Sequence, residues 1–165
     1  MTDGFTHILM PTDFSPPADA ALIRAKQLAE RFGARLSLLH VVTDPQARGT
    51  WTSELYVPAI PEVRDQLLNA ARERLTNTLT EEERLRLQVT VDARVGAVAE
   101  VITEVARSYG IDLIVMGTHG RRGLSHFVMG SIAEKVVREA PCAVLTTHAE
   151  HVGQVPVAEP VTIEA

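Results

Sequence analysis

The sequence predicts an α/β protein: an open, five-stranded parallel sheet with helices on both faces. Three observations carry this. Short apolar runs alternate with stretches of helical periodicity along the chain. Two of those runs, Leu36 to Val42 and Leu113 to Met116, are almost wholly apolar, as strands covered on both faces are. Helix start and stop residues fall in the gaps between the runs.

Taken in order, His7-Ile8-Leu9-Met10-Pro11 reads as strand one, and Thr12 to Ser15 turns the chain. Ser15 is placed to N-cap a helix, with Pro16 at the first helical position. Ala21, Leu22, Ala25, Leu28, Ala29 and Phe32 recur at helical spacing, and Gly33 suits the left-handed residue that ends a helix. Strand two is Leu36 to Val42, buried on both faces. Residues 43–60 are irregular, with Trp51 and Tyr56 among prolines, which is the composition of a lid or a disordered loop. Val63, Leu67, Ala70, Ala71, Arg74 and Leu75 mark a second helix. Thr80 to Glu83 reads as a charged helix end or loop. Leu87, Val89, Val91 and Ala93 alternate with polar residues, as in an edge strand. A third helix runs from Val98 to Tyr109 and is closed by Gly110. Asp112 to Met116 is strand four. Ser131 with Glu134 reads as a capping box opening a fourth helix, which ends at Ala140-Pro141. Cys142 to Thr146 is strand five. Residues 1–148 form one domain, and 149–165 a tail that is disordered or pairs with a partner.

The 165 residues, 45% hydrophobic and 22% charged, suit one globular domain. A net charge of −5 argues against nucleic acid as a partner. No apolar run is long enough to span a membrane, the N-terminus lacks a signal-peptide pattern, and the single cysteine, Cys142, permits no intrachain disulfide. A soluble cytoplasmic protein is expected.

The most informative segment is Gly117 to Ser131. It follows strand four and leads into a helix, and its glycines fall as G-x-x-G, nine residues, then G-S. Glycines let backbone approach a phosphate, and a helix N-terminus offers unpaired N–H groups at the positive end of its dipole. Gly117 and Gly120 would make a tight turn off the strand, and Gly130 would admit a phosphate just before the helix. Ser131 would cap that helix, Ile132 and Ala133 would offer first-turn N–H groups, and Arg121 and Arg122 would add charge. In such sheets ligands bind outside the carboxyl ends of the strands, where strand order reverses, and the loops at 11–15, 41–44 and 117–130 all follow strand ends. Neither lysine, Lys26 or Lys135, sits in a Walker P-loop, and no G-x-G-x-x-G follows strand one. The alternative is an ordinary glycine-rich loop followed by a helix cap.

The run from Asp112 through Ser125, then Val128 to Leu145, resembles the C-terminal half of a universal stress protein. Ile8 to Ser15 and Gly33 to Val42 resemble its N-terminal half, so the likeness spans roughly residues 5–147, weakest at 43–86. It implies a Rossmann-like sheet of the adenine-nucleotide α-hydrolase type, strand order 3-2-1-4-5. The family divides into members that bind ATP and members that do not. The binders carry G-x-x-G-x9-G-S/T, intact here as Gly117, Gly120, Gly130 and Ser131. The resemblance implies that Asp13, beside Pro11 and Thr12, meets the ribose or the adenine edge, and that Val41 pairs the adenine through its backbone. It implies that Met116, Gly117, Thr118, His119, Gly120, Arg121, Arg122 and Gly123, with Gly130, Ser131, Ile132 and Ala133, surround the ribose and phosphates. ATP or another adenine nucleotide is the expected ligand, with Mg²⁺ riding on its phosphates. A homodimer through the fifth strand is implied too. The strand ending Thr146-Thr147-His148 departs from the family's commoner aliphatic residues.

Each residue also has a plainer reading. Asp13 caps a turn or a helix as readily as it meets a ligand. His119 reads as a backbone or supporting residue, and His40 as a satisfied core or rim histidine. His126, His148 and His151 lack metal-ligand spacing with Cys142, which reads as a small hydrophobe. Ser125-His126 lacks the setting of a hydrolase nucleophile. The sequence favours a nucleotide-binding regulatory protein of the stress response over a slow ATPase or self-phosphorylating enzyme, since no general base or P-loop lysine is evident. A scaffold whose motif binds nothing is the third reading.

Overall fold

The computed structural model describes residues 4–43, 61–118 and 129–148. Five strands are β1 (His7–Pro11), β2 (Arg35–Thr43), β3 (Thr90–Gly96), β4 (Leu113–Gly117) and β5 (Ala143–Thr147). Five helices are α1 (Pro16–Phe32), α2 (Pro61–Asn77), α3 (Glu81–Arg86), α4 (Val98–Ser108) and α5 (Ser131–Glu139). Every strand pair is parallel and the order is β3-β2-β1-β4-β5, as the sequence and its family resemblance predict.

Strand alternation sorts the core into two layers. Ile8, Met10, Leu36, Leu38, Leu113 and Val115 point to one face and pack on Ala18, Ala21, Ala25 and Ala29 of α1 and Leu75 of α2. Leu9, Leu39, Val41, Ile114 and Met116 point to the other and pack on Ile102, Val105 and Ala106 of α4 and Ala133 and Val136 of α5. The alanine-rich stripe of α1 brings that helix close to the sheet. Ser15 occupies its N-cap position and Pro16 its start. Gly33, at φ +65°, closes it by donating its N–H to the Ala29 carbonyl.

Four expectations change. Thr80 to Glu83 opens a six-residue helix of its own: Thr80 Oγ1 accepts the Glu83 N–H at 3.2 Å, and Glu83 Oε2 accepts the Thr80 N–H at 3.0 Å, a complete capping box on α3. Glu83 also pairs with Lys26, tying α3 to α1. Leu87 belongs to the end of α3, and the left-handed Gln88 (φ +47°) delays β3, a sheet edge, to Thr90. β2 is not buried throughout: Ser37, on the α4 face, and His40, on the opposite face beside Phe14, are both half-buried. In α2, Ala71 and Leu75 are buried while Val63 and Leu67 stay exposed, so this helix docks through its second half.

Candidate functional site

β1 lies between β2 and β4, so the chain reverses its order of strands at the gap between β1 and β4. The turn after β1 and the segment after β4 flank that gap at the carboxyl ends, where ligands bind in open parallel sheets.

On the β1 side, Pro11 is the last paired residue, and the Thr12 N–H donates to the Leu39 carbonyl at 2.8 Å. The next residues fold back on themselves. Thr12 Oγ1 accepts the Phe14 N–H at 2.9 Å. Asp13 Oδ1 accepts the Ser15 N–H at 3.1 Å and the Ser15 hydroxyl at 2.5 Å. Asp13 therefore holds the turn that launches α1. Phe14 sits at φ +61°, a conformation that bulky residues seldom adopt. It is held there by stacking: its ring centroid lies 4.7 Å from that of His40, and the Arg74 guanidinium carbon lies 4.0 Å above it. His40 Nδ1 is 2.7 Å from the Thr12 carbonyl, so it donates, and His40 is the satisfied histidine its position suggests.

Val41 is placed by register. In β2, Arg35 donates to Thr6 of the neighbouring β1 segment and Leu39 accepts from Thr12, whereas Leu36 donates to Leu87 on the β3 side. Odd-numbered residues thus turn their backbone groups towards β1. Val41 turns its N–H and carbonyl the same way, but β1 has ended at Pro11. Its backbone edge opens into the crevice, while its side chain is buried in the α4 layer.

On the β4 side, Met116 is buried against that layer. Gly117 is not a turn residue: it is the last residue of β4, in register with Thr147. A Cβ there would lie 2.9 Å from the Pro17 carbonyl oxygen, 3.0 Å from its carbon and 3.1 Å from Pro17 Cβ. Glycine is thus demanded by the approach of α1, and this contact sets the Asp13 turn beside the end of β4. Thr118 is buried; its N–H donates to the Thr147 carbonyl at 3.0 Å, and its own carbonyl accepts the Gly130 N–H at 2.8 Å. The second bond pins the two ends of the intervening loop together.

Gly130, not Ser131, is the N-cap of α5, and the Ser131–Glu134 capping box does not form. Having no side chain, Gly130 cannot satisfy the first-turn donors. The first intrahelical bond runs from the Glu134 N–H to the Gly130 carbonyl, so the N–H groups of Ser131, Ile132 and Ala133 precede the helical ladder. Ser131 and Ile132 are exposed and Ala133 is buried. The predicted residues His119, Gly120, Arg121, Arg122 and Gly123 lie outside the described residues, as do Trp51, Tyr56 and Ser125-His126. Pro11, Thr12, Asp13, Val41, Met116, Gly117, Thr118, Gly130, Ser131, Ile132 and Ala133 stand at neighbouring strand ends or at the start of α5. Phe14 was not legible as part of the site, because its stacking on His40 and Arg74 joins three separate segments.

Cys142 is half-buried, and burial followed by the charge of Asp112 pushes its thiol pKa up. That keeps it protonated and inert.

A family model described as the universal stress protein family matches residues 4–148. Universal stress protein MJ0577 of Methanocaldococcus jannaschii is 29% identical over 155 residues, spanning 88% of this chain and 96% of that one. Universal stress protein A homolog 2 of Coxiella burnetii is 31% identical over 147 residues, spanning 87% and 94%. Among solved structures, the universal stress protein UspA from Lactobacillus plantarum superposes with a TM-score of 0.67 at 29% identity, covering 87% of this chain and 97% of that one.

Proposed function

This chain belongs to the universal stress protein family, and we propose that it is an adenine-nucleotide-binding member, acting as a regulatory protein of the stress response. The observation that carries the proposal is the pairing of two open backbone edges across one crevice. Val41 offers an N–H and a carbonyl side by side beyond the end of β1, the donor–acceptor pair that an adenine edge needs. Across the gap, α5 begins with three N–H groups before its ladder, the arrangement that receives phosphate. The intact G-x-x-G-x9-G-S spacing runs from the end of β4 to the start of α5.

In this reading Pro11, Thr12 and Asp13 form the ribose side. The Asp13 carboxylate accepts a ribose hydroxyl or an adenine amino proton while Ser15 holds it in place. Met116, Gly117 and Thr118 form the floor, and His119 to Gly123 with Gly130, Ser131, Ile132 and Ala133 surround the phosphates. Mg²⁺ is carried on the nucleotide, which asks little of the protein. ATP is the ligand we favour.

The assembled unit is a homodimer through β5. Supporting this, among the described residues β5 pairs only with β4 and leaves Ala143 and Leu145 exposed. Among the described residues no helix is long and apolar enough to cross a membrane; we propose a cytoplasmic location, with which the lone free thiol is compatible. Asp13 is engaged in holding a turn, which suits binding rather than proton transfer. The test is to denature freshly purified protein and identify what it releases: an adenine nucleotide is expected, and steady-state ATP turnover should stay at background with Mg²⁺. Turnover abolished by Gly130→Val would instead support the ATPase.

A further inference from the structure

The opposite end of the sheet holds a second hollow. His7, Arg35 and Thr90 are the first residues of β1, β2 and β3, and they border a cavity of about 460 Å³ between β3 and α4. That is enough for a small organic molecule. Its apolar wall is Leu9, Leu39 and Val105.

A directional hydrogen-bond chain runs along its polar wall. His7 Nδ1 lies 3.3 Å from the Tyr109 backbone carbonyl, which can only accept, so Nδ1 carries the ring proton. Nε2 therefore presents a lone pair, and Ser37 Oγ lies 2.7 Å from it. The single proton of Ser37 points at that nitrogen. Thr90 Oγ1 lies 2.7 Å from Ser37 Oγ and must then donate to it. The imidazole is buried, and desolvation, then the charge of Arg35, lowers its pKa against the opposing pull of the Tyr109 carbonyl and Asp112. It is neutral at pH 7 and able to take a proton. Arg35 lines the same cavity and makes no ion pair among the described residues.

A hydroxyl within hydrogen-bond reach of a base, with the base oriented by a third group, is the arrangement of an activated nucleophile. We propose that Ser37 and His7 form a nucleophile–base pair that accepts acyl groups from small, short-chain esters bound in this hollow. Ser37 Oγ bonds to the ester carbonyl carbon and its proton passes to His7 Nε2. The carbonyl electron pair moves to oxygen, beside the Arg35 cation. The intermediate collapses, the bond to the alcohol oxygen breaks, and His7 returns the proton to that alcohol. Water then repeats the sequence, releasing the carboxylic acid and restoring Ser37. Thr90 donates to the attacking oxygen and so favours negative charge on it. This site is independent of the nucleotide crevice, which lies at the other ends of the same strands.

The experiment is to incubate the full-length protein with an alkyl fluorophosphonate, which modifies activated serines, and to map the adduct by mass spectrometry. The expected result is a single adduct on Ser37, formed equally with and without millimolar ATP. His7→Gln keeps an acceptor for the Ser37 hydroxyl but cannot take its proton, so it should slow labelling about 100-fold or more while melting as the parent does. Hydrolysis of p-nitrophenyl butyrate should fall in parallel and vanish in Ser37→Ala. A parent protein that takes no label, one labelled elsewhere, or a folded His7→Gln labelled at the parental rate would each overturn the proposal. If His7→Gln fails to fold, the mapped adduct on the parent decides alone.

Discussion

Replacing Gly117 with alanine separates two explanations of the first glycine in the G-x-x-G segment. If that glycine exists so that backbone can approach a ligand, Gly117→Ala should weaken nucleotide binding and leave the apo fold alone. The packing says otherwise. The new methyl would meet the Pro17 carbonyl carbon at 3.0 Å and Pro17 Cβ at 3.1 Å. Carbon contacts settle at about 3.5–4.0 Å, so the start of α1 must retreat by about half an ångström. Two of the three nearest atoms are backbone, and no rotamer change relieves them. Overpacking of this kind costs about 1–3 kcal/mol. At roughly 2–4 °C per kcal/mol for a domain of this size, the melting temperature of apo protein should fall by about 2–12 °C. Because α1 starts at the turn held by Asp13 and Ser15, ATP affinity should fall too. Thermal unfolding by circular dichroism without nucleotide, followed by ATP titration, reads both. An unchanged apo melting temperature with lost ATP affinity would refute the packing argument.

Other outcomes follow from the same structure. Thr80→Ala removes the oxygen that caps α3 and should cost about 1 kcal/mol by urea titration, a loss typical of N-caps. Since the folded pKa of His7 lies below its ordinary value of 6.5, the unfolded chain binds the proton more readily. The His7 contribution is therefore intact above pH 6.5 and is lost as pH falls below it towards the folded pKa; denaturation at stepped pH should show this slope, flattened in His7→Gln. Asp13→Ala should remove most of the stabilisation by ATP and also lower apo stability, because the same carboxylate holds Ser15, so both should be read by thermal melts.

Local chemistry made much of this fold readable. Pro16 and Gly33 act within a turn or two of their own positions and do what their residue types suggest, whereas Ser15 stands at the N-cap without capping, because its hydroxyl donates to Asp13 instead. The strand pattern carried the sheet because the central strands β1 and β4 bury both faces. What escaped depends on partners distant in the chain. α3 is six residues long with no buried residue, so its charged sequence reads as loop although Thr80-x-x-Glu83 is a capping box in plain sight. Ser131 looks like an N-cap, but the bond from Gly130 to Thr118 shifts the cap one residue earlier. The role of Gly117 comes from Pro17, a hundred residues before it, and the His7–Ser37–Thr90 chain exists only through the register of three strands. For the nucleotide site, the glycine spacing pointed to the crevice, while the open edge of Val41 needed the hydrogen-bond parity of β2.

The most direct test of adenine-nucleotide binding is the melting temperature of protein stripped of nucleotide, measured with increasing ATP. Ligand at a hundred times Kd stabilises by about 2.7 kcal/mol, which for this chain length is a rise of roughly 5–11 °C. That rise, reduced in Asp13→Ala, is the predicted result. A melting temperature unmoved by millimolar ATP, ADP, AMP and cyclic AMP would contradict the account.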